Sequence, residues 1–283
     1  MNENKKKVST GKAIAAILLA IVILIVAQSL ASMLGSIPVM IGAPEAVGNV
    51  IAGILYPILT FFGVKFLSTK ILKLPLEECR ISKFSVKPLW CIAAVVMPCL
   101  VSVILLLTTG HWENNQLSIT EIAGIVTAGV FFYGLGAGFV EEMIFRGVIM
   151  SALEYRCNKY VAIIAPSVLF ALVHIIGNDL DFLSIIQLII AGSIVGILFS
   201  LVTYESGNVW NSAILHAVWN IIIVGGVLHI GNAADEFAIY NYVLDTDSFL
   251  LTGGAFGIES SVVSIAVYLI FIILAGVLVK KRK

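Results

Sequence analysis

Residues 13–34, AIAAILLAIVILIVAQSLASML, form an apolar run of 22 residues that contains no charged side chain. A helix needs about 20 predominantly apolar residues to cross the roughly 30 Å hydrocarbon core of a bilayer. The run therefore predicts a membrane-spanning helix. It follows the basic Lys5, Lys6 and Lys7 and is longer than the apolar region of a cleaved signal peptide, so we expect a retained signal anchor.

The rest of the chain continues this pattern: of its 283 residues, 60% are hydrophobic and only 12% are charged. Soluble domains carry about 25% charged residues, so the composition excludes a soluble globular protein. Eight apolar runs predict transmembrane helices, at 13–34, 47–68, 89–109, 121–145, 160–177, 183–203, 208–229 and 261–279. The predicted fold class is an all-α polytopic membrane helical bundle of about eight helices.

The distribution of positive charge predicts how the bundle is oriented. Lysine and arginine concentrate near the N-terminus, in the loop 69–88, around residues 156–159 and in the tail 280–283, whereas the predicted outer loops contain neither. By the positive-inside rule, both termini face the cytoplasm of a multi-pass plasma-membrane protein. The predicted partner is the lipid bilayer. The 17 basic and 17 acidic residues cancel, which argues against nucleic acid as a partner.

We divide the chain into three segments. Residues 1–118 hold the first three predicted helices and the cytoplasmic loop 69–88, and residues 229–283 hold an outer loop and the last helix. The central segment 119–228 holds helices four to seven and carries the polar residues that lie within predicted spans. Ionisable groups are costly in a membrane and are functional candidates by default. The central segment is therefore the predicted catalytic core.

The first polar group comprises Glu141, Glu142 and Arg146. Glu142 and Arg146 are four residues apart on a helix and can neutralise each other as an ion pair. Glu141 is turned about 100° away and lacks this partner. Its carboxylate is more readily explained by function than by structure, whereas the Glu142–Arg146 pair fits either explanation. Glu121, at an outer helix end, is explained as a first-turn residue that the helix dipole favours.

The second group comprises His174, His216 and Asn220. Glu141 and His174 lie at nearly equal distances from the turn near Asn158, so an antiparallel hairpin brings them to one level. His216 and Asn220 share a helix face four residues apart, and an interhelical hydrogen-bond clamp would explain that pair alone. By depth, His216 is expected nearer the cytoplasm than His174, unless the hairpin projects inward.

Together these side chains suit hydrolytic chemistry. A carboxylate, two imidazoles and an amide can activate a water and stabilise an oxyanion. Glu141, His174 and His216 could equally hold one zinc ion with an open position. The run Gly134–Leu135–Gly136–Ala137–Gly138 follows no predicted strand, so it indicates close helix packing and no nucleotide site. The same holds for Gly192 and Gly196.

These motifs, E-E-x-x-x-R, F-x-x-x-H and H-x-x-x-N, resemble those of the CPBP family in type and order. That family joins CAAX prenyl endopeptidases of the Ras-converting-enzyme type with bacteriocin-processing and Abi-type proteins. The motifs stand complete here, the second beginning at Phe170, and the resemblance covers about residues 120–225. It implies an intramembrane endopeptidase in which Glu141 polarises a water beside His174. His216 and Asn220 would stabilise the oxyanion or, in the metalloprotease view, His216 would bind zinc; Glu142 and Arg146 would support them.

The sequence favours a bacterial member whose substrate is a short amphipathic peptide or a membrane-protein tail. A second hypothesis is a non-catalytic immunity or scaffold protein that binds a peptide or a sensor kinase. A third is a transporter with Glu141 as a proton relay, which ranks last because no inverted repeat is found. The complete motifs favour the endopeptidase, because a binding protein does not need both carboxylates and both histidines.

Overall fold

The computed structural model describes residues 8–281, and the structure is 73% helical. Each of the eight predicted runs coincides with a helix: α1 Thr10–Met40, α2 Glu45–Leu72, α3 Pro88–Leu106, α4 Ile119–Arg156, α5 Lys159–Val173, α6 Phe182–Ser206, α7 Trp210–Val224 and α8 Val262–Lys281. Within the described residues, six are long and apolar enough to cross a membrane, and α5 and α7 are shorter. The polytopic helical bundle is confirmed, whereas the number of complete crossings stays a prediction.

The orientation of the bundle also stays a prediction, and part of its basis lies outside the described residues. Lys5, Lys6 and Lys7 precede them, and Arg282 and Lys283 follow them. The loop 69–88, predicted to be cytoplasmic, packs against the ends of α4 and α7. Its Arg80 pairs with Glu154 and donates to Ser151 Oγ at 2.8 Å.

Side-chain caps begin three of the helices of the central segment. Ser118 caps α4 and forms a reciprocal capping box with Glu121, as expected for an acidic first-turn residue. Asn158 caps α5 and Asp181 caps α6, each by accepting from two backbone N–H groups. Gly207 ends α6 with a left-handed φ of 83°, a conformation that glycine adopts without a steric penalty. These turns set where each helix starts on its way through the bundle.

Helix α4 is longer than a membrane crossing requires and is irregular along its length. It covers 38 residues, against the roughly 20 that span a bilayer. Wider π-type turns occur at Ala128–Ala137 and Met143–Ile149, on either side of the regular turn Gly138–Glu142. Such turns are frequent at functional sites, and here they flank the Glu141–Glu142 pair. The length of α4 therefore exceeds one bilayer crossing, and the position of the α4–α5 hairpin relative to the membrane stays a prediction.

Glycines bring the helices of the central segment into close contact. A Cβ added at any of four glycines would lie 2.4–2.8 Å from a neighbouring helix: at Gly134 from Ile221, at Gly138 from Ala217, at Gly192 from Ala171 and at Gly196 from Ser167. The first two fix the approach of α4 to α7, and the last two that of α5 to α6. This confirms helix packing as the role of both glycine motifs.

The core is divided into two clusters of buried residues. One joins α1 and α2 to α4 and the Phe170 region of α5. The other joins α3, α6, α7 and α8. Because α4 contributes to the first cluster and α7 to the second, the contact between these helices lies where the two halves meet. The polar residues of the central segment lie along this boundary.

A small sheet joins the two connections that were predicted to be outer loops. Strands β1 (Gly110–Asn114), β2 (Leu228–Gly231) and β3 (Tyr240–Leu244) lie in the order β1–β3–β2, with β1 antiparallel and β2 parallel to β3. The sequence analysis predicted no strand. The sheet is a minor addition to the helical fold, and it anchors the start of the following segment 245–261.

The segment 245–261 packs against the bundle through its polar groups. It contains short helical turns at Phe249–Thr252, Gly254–Phe256 and Ile258–Ser260. Gln187 of α6 donates to the Ser260 carbonyl at 2.7 Å, and Ser184 Oγ accepts from the Ala255 N–H at 3.0 Å. Ile258, Ser260 and Ser261 are buried against the bundle, while Phe256 and Glu259 line a cavity.

Candidate active site

A cavity of about 500 Å³ lies inside the bundle. Glu141, His174, His216 and Asn220 all line it, together with apolar side chains from α1, α4, α5, α6 and α8. The structure therefore brings together four predicted site residues that come from three helices. The segments 1–118 and 229–283 also contribute to the wall, through residues such as Leu24 and Phe256.

The carboxylate of Glu141 faces both histidines. Its Oε2 atom lies 3.9 Å from His174 Nε2 and 3.9 Å from His216 Nε2. The same oxygen is buried and has no hydrogen-bond partner among the described residues. Both histidines thus reach one carboxylate oxygen, so the expected mismatch in depth between them is absent.

The hydrogen bonds on the far side of each ring define its tautomer. His174 Nδ1 lies 2.7 Å from the Phe170 carbonyl, and His216 Nδ1 lies 3.2 Å from Glu142 Oε1. Both partners accept, so each Nδ1 carries the hydrogen. In the neutral rings, both Nε2 lone pairs then point toward Glu141. Three acceptors that converge in this way require a donor between them, such as a water or an added proton.

The ion pair predicted between Glu142 and Arg146 is present and fully buried, with a 2.8 Å bond from Nη1 to Oε1. The Arg146 guanidinium also donates to the Gly196 carbonyl at 3.2 Å. It lies over the rings of Phe170 and Phe199, at 4.7 and 5.2 Å from their centroids. Glu142 Oε1 thus receives both Arg146 and His216, so the pair holds the imidazole that faces Glu141.

Asn220 lies one helical turn after His216 and also lines the cavity. Its Nδ2 donates to the Tyr133 carbonyl of α4 at 2.9 Å. An amide nitrogen carries two hydrogens, so this bond leaves one more available. Asn220 therefore combines the interhelical clamp weighed from the sequence with a second N–H for the cavity.

The donor atoms differ in spacing from a zinc site. Ligand atoms on a tetrahedral zinc lie about 3.4 Å apart, whereas both Nε2 atoms lie 3.9 Å from Glu141 Oε2. Across residues 8–281, no group of three or more His, Cys, Asp or Glu side chains is placed to hold a metal ion. The three residues suit zinc in kind but do not fit it as they are arranged, and no step below uses a metal.

The sequence analysis did not identify Glu259, an acidic residue of the cavity wall. Glu259, in the segment 245–261, lines the same cavity and accepts a 2.9 Å hydrogen bond from the Trp219 indole. Burial raises the pKa of its carboxyl, while Trp219 and the two imidazoles act in the opposite direction. The apolar, glycine-rich run LLTGGAFGI at 250–258 could have indicated that this part of the loop is not solvated.

Residues 123–222 match the family model described as type II CAAX prenyl endopeptidase Rce1-like. The match runs from α4 to α7 and includes all six predicted site residues, whereas α1–α3 and α8 lie outside it. It agrees with the family that the three motifs indicated and supports a membrane endopeptidase at the family level. No curated protein matches the sequence.

Proposed function

We propose that this protein, whose core matches the Rce1-like CAAX prenyl endopeptidases, is a membrane-embedded endopeptidase that hydrolyses peptide bonds with a glutamate-activated water. The observation that carries the proposal is the unpaired Glu141 oxygen, 3.9 Å from two imidazole nitrogens inside a cavity. Nearby acceptors at this spacing can hold a water by its hydrogens, and the geometry of a base and its proton is the first requirement of general-base catalysis.

In the first step, a water beside Glu141 and His174 donates one hydrogen to Glu141 Oε2 and the other to His174 Nε2. As its oxygen bonds to the carbonyl carbon of the substrate, the first proton passes to Glu141. The C–N bond of the tetrahedral intermediate then breaks, and the nitrogen takes this proton from Glu141. The products are a carboxylic acid and an amine, and Glu141 is again a carboxylate.

The oxyanion of the intermediate is stabilised by Asn220 and His216. Asn220 offers its second Nδ2 hydrogen, and removal of one such donor typically costs 10²–10³-fold in rate. His216 donates from Nε2 when it carries a proton. The Nδ1 atom of the same ring is held by Glu142 at 3.2 Å.

The substrate is a short amphipathic peptide or the tail of a membrane protein. The cavity walls are mostly apolar and lie within helices that suit a bilayer, so an extended apolar segment can leave the lipid and occupy the cavity. A bacterial plasma membrane is the proposed location.

The test compares peptide ends, by mass spectrometry, in membranes of cells that make wild type, Glu141→Gln or Glu77→Gln. Glu77 is exposed and distant in sequence from the site, so its variant controls for loss of a carboxylate. We expect products with wild type and Glu77→Gln that are absent with Glu141→Gln. Identical profiles from stably folded proteins, with the natural substrate present, would contradict proteolysis and favour a peptide-binding immunity or scaffold protein.

A further inference from the structure

The mechanism above leaves one carboxyl group of the cavity without a role. Glu259 comes from the segment 245–261, outside the family match at 123–222, yet it lines the same cavity as Glu141, His174 and His216. Its carboxyl interacts electrostatically with all three of these side chains. It is therefore part of the site by position, although no motif contains it.

Glu259 is held in a defined position. Its Oε1 accepts from Trp219 Nε1 at 2.9 Å, and Trp219 lies between His216 and Asn220 on α7. Two hydrogen bonds fix the neighbouring Ser260. Its carbonyl accepts from Gln187, and its Oγ donates to the Gly253 carbonyl. One carboxylate oxygen is thus anchored, and the side chain is oriented toward the cavity by bonds that do not involve the catalytic groups.

The described surroundings of Glu259 hold two imidazoles but no permanently charged cation. Among the described residues that line the cavity, none is a lysine or an arginine, whereas Tyr133, Phe256 and Trp219 supply aromatic rings. A carboxylate in such a wall loses hydration and gains in return the hydrogen bond from the neutral Trp219 indole, which is consistent with the raised pKa of this carboxyl. A cation that enters the cavity would reverse this cost, and aromatic faces would also attract it.

We infer that Glu259 is a specificity residue that binds the ammonium or guanidinium group of a basic side chain in the bound peptide. The inference deepens the proposed function and rests on it, because it assumes that a peptide occupies the cavity. The substrate class is therefore an apolar segment that carries a lysine or arginine close to the bond that is cleaved. An acidic side chain at that position is excluded by repulsion from Glu259.

The experiment measures peptide binding to full-length Glu141→Gln protein in lipid nanodiscs, where hydrolysis is blocked and Glu259 is the remaining carboxylate among the described cavity residues. The probes are fluorescent apolar peptides in which one lysine is moved along the sequence, each matched by the same peptide with acetyl-lysine. The variants are Glu141→Gln alone, Glu141→Gln/Glu259→Gln and Glu141→Gln/Glu77→Gln. Glutamine at 259 keeps an oxygen that accepts from Trp219, and exposed Glu77 provides the matched control.

At one lysine position, we expect binding about tenfold or more tighter than with acetyl-lysine, the size of a charge-assisted hydrogen bond. The Glu77 control keeps this ratio and Glu259→Gln brings it close to one. No lysine preference at any position would overturn the inference, even if the Glu259 variant failed to fold. A preference that persists in Glu259→Gln would overturn it as well. A lysine preference together with no hydrolysis by wild type would overturn the proposed function and leave the cation site standing.

Discussion

His216 Nδ1 lies 3.2 Å from Glu142 Oε1, an oxygen that also accepts from Arg146 at 2.8 Å. Glu142 therefore holds the ring at Nδ1, while its sequence neighbour Glu141 faces the Nε2 atom of the same ring. Glu141 and Glu142 diverge by about 100° around α4, so adjacent residues reach opposite nitrogens of one imidazole. The Glu-Glu pair thus acts as one unit, with Glu142 as the positioning residue for the ring.

Glu142→Gln removes the charge that fixes this tautomer while it keeps the side-chain shape. We expect cleavage to fall about 10²-fold or more, since an orienting carboxylate controls the proton on its histidine. Arg146 loses its buried partner, and such a loss costs about 3–5 kcal/mol of stability. Turnover and thermal unfolding of the variant check both effects, with Glu77→Gln as the control. Normal turnover in Glu142→Gln would show that Glu142 does not position His216.

Gly138→Ala tests the contact that brings α4 to α7. Its Cβ would lie 2.7 Å from backbone atoms of Ala217, one residue after His216, so the two helices must separate. Overpacking of this kind costs about 1–3 kcal/mol, and we expect cleavage to be lost with it because Glu141 and His216 move apart. Gly276→Ala is the control, since nothing lies within 4 Å of its added Cβ. Equal unfolding temperatures and equal turnover for the two variants would contradict this account.

The proposed mechanism predicts that metal removal leaves cleavage unchanged. The spacing of Glu141, His174 and His216 is wider than that of zinc ligands, and the steps use only a water and these side chains. We expect substoichiometric zinc by elemental analysis of active protein and unchanged turnover after treatment with 1,10-phenanthroline. Loss of turnover on chelation, with recovery on addition of zinc, would replace the water mechanism by a metal one.

Much of this arrangement was predictable because the signals are local. Hydropathy marks each helix, since a span must remove its own backbone from water. The i, i+4 spacing predicted the ion pair between Glu142 and Arg146. The nearly equal sequence separations of Glu141 and His174 from the turn at Asn158 predicted that these two side chains lie side by side. The glycines predicted close packing because any side chain there would meet the next helix. All of these are properties of one helix or of one hairpin.

The parts that were not predicted depend on contacts between distant segments. Strand β1 pairs with β3 about 130 residues later, and both are only five residues long, so neither shows a clear alternation. Glu259 reaches the cavity because Gln187 and Trp219 bind its segment, and a hydropathy pattern does not encode such pairings. The bond from Glu142 to His216 joins two motifs, and no single motif reveals it.

The three-stranded sheet carries a pH-dependent contact that is separate from the cavity. Hydrogen bonds to Glu113 and Asp245, each 3.1 Å from a ring nitrogen, raise the pKa of His111 above its ordinary value. A raised pKa means that protonation favours the folded state. This stabilisation is complete below the pKa of the unfolded chain, near 6.5, and is lost as the pH rises through the higher folded value.

We therefore expect His111→Gln to lower the unfolding temperature at pH 5.5 and to have little effect at pH 8.5. The effect is small, because the three side chains are exposed and salt screens them. Thermal unfolding of wild type and variant across this pH range, at low and high salt, provides the measurement. β1 lies in the connection between α3 and α4. We therefore expect loss of the His111 contact to destabilise the sheet and to leave the geometry of Glu141 and His216 unchanged. If the difference in unfolding temperature between wild type and His111→Gln grew as the pH rose, stabilisation by a protonated His111 would be contradicted.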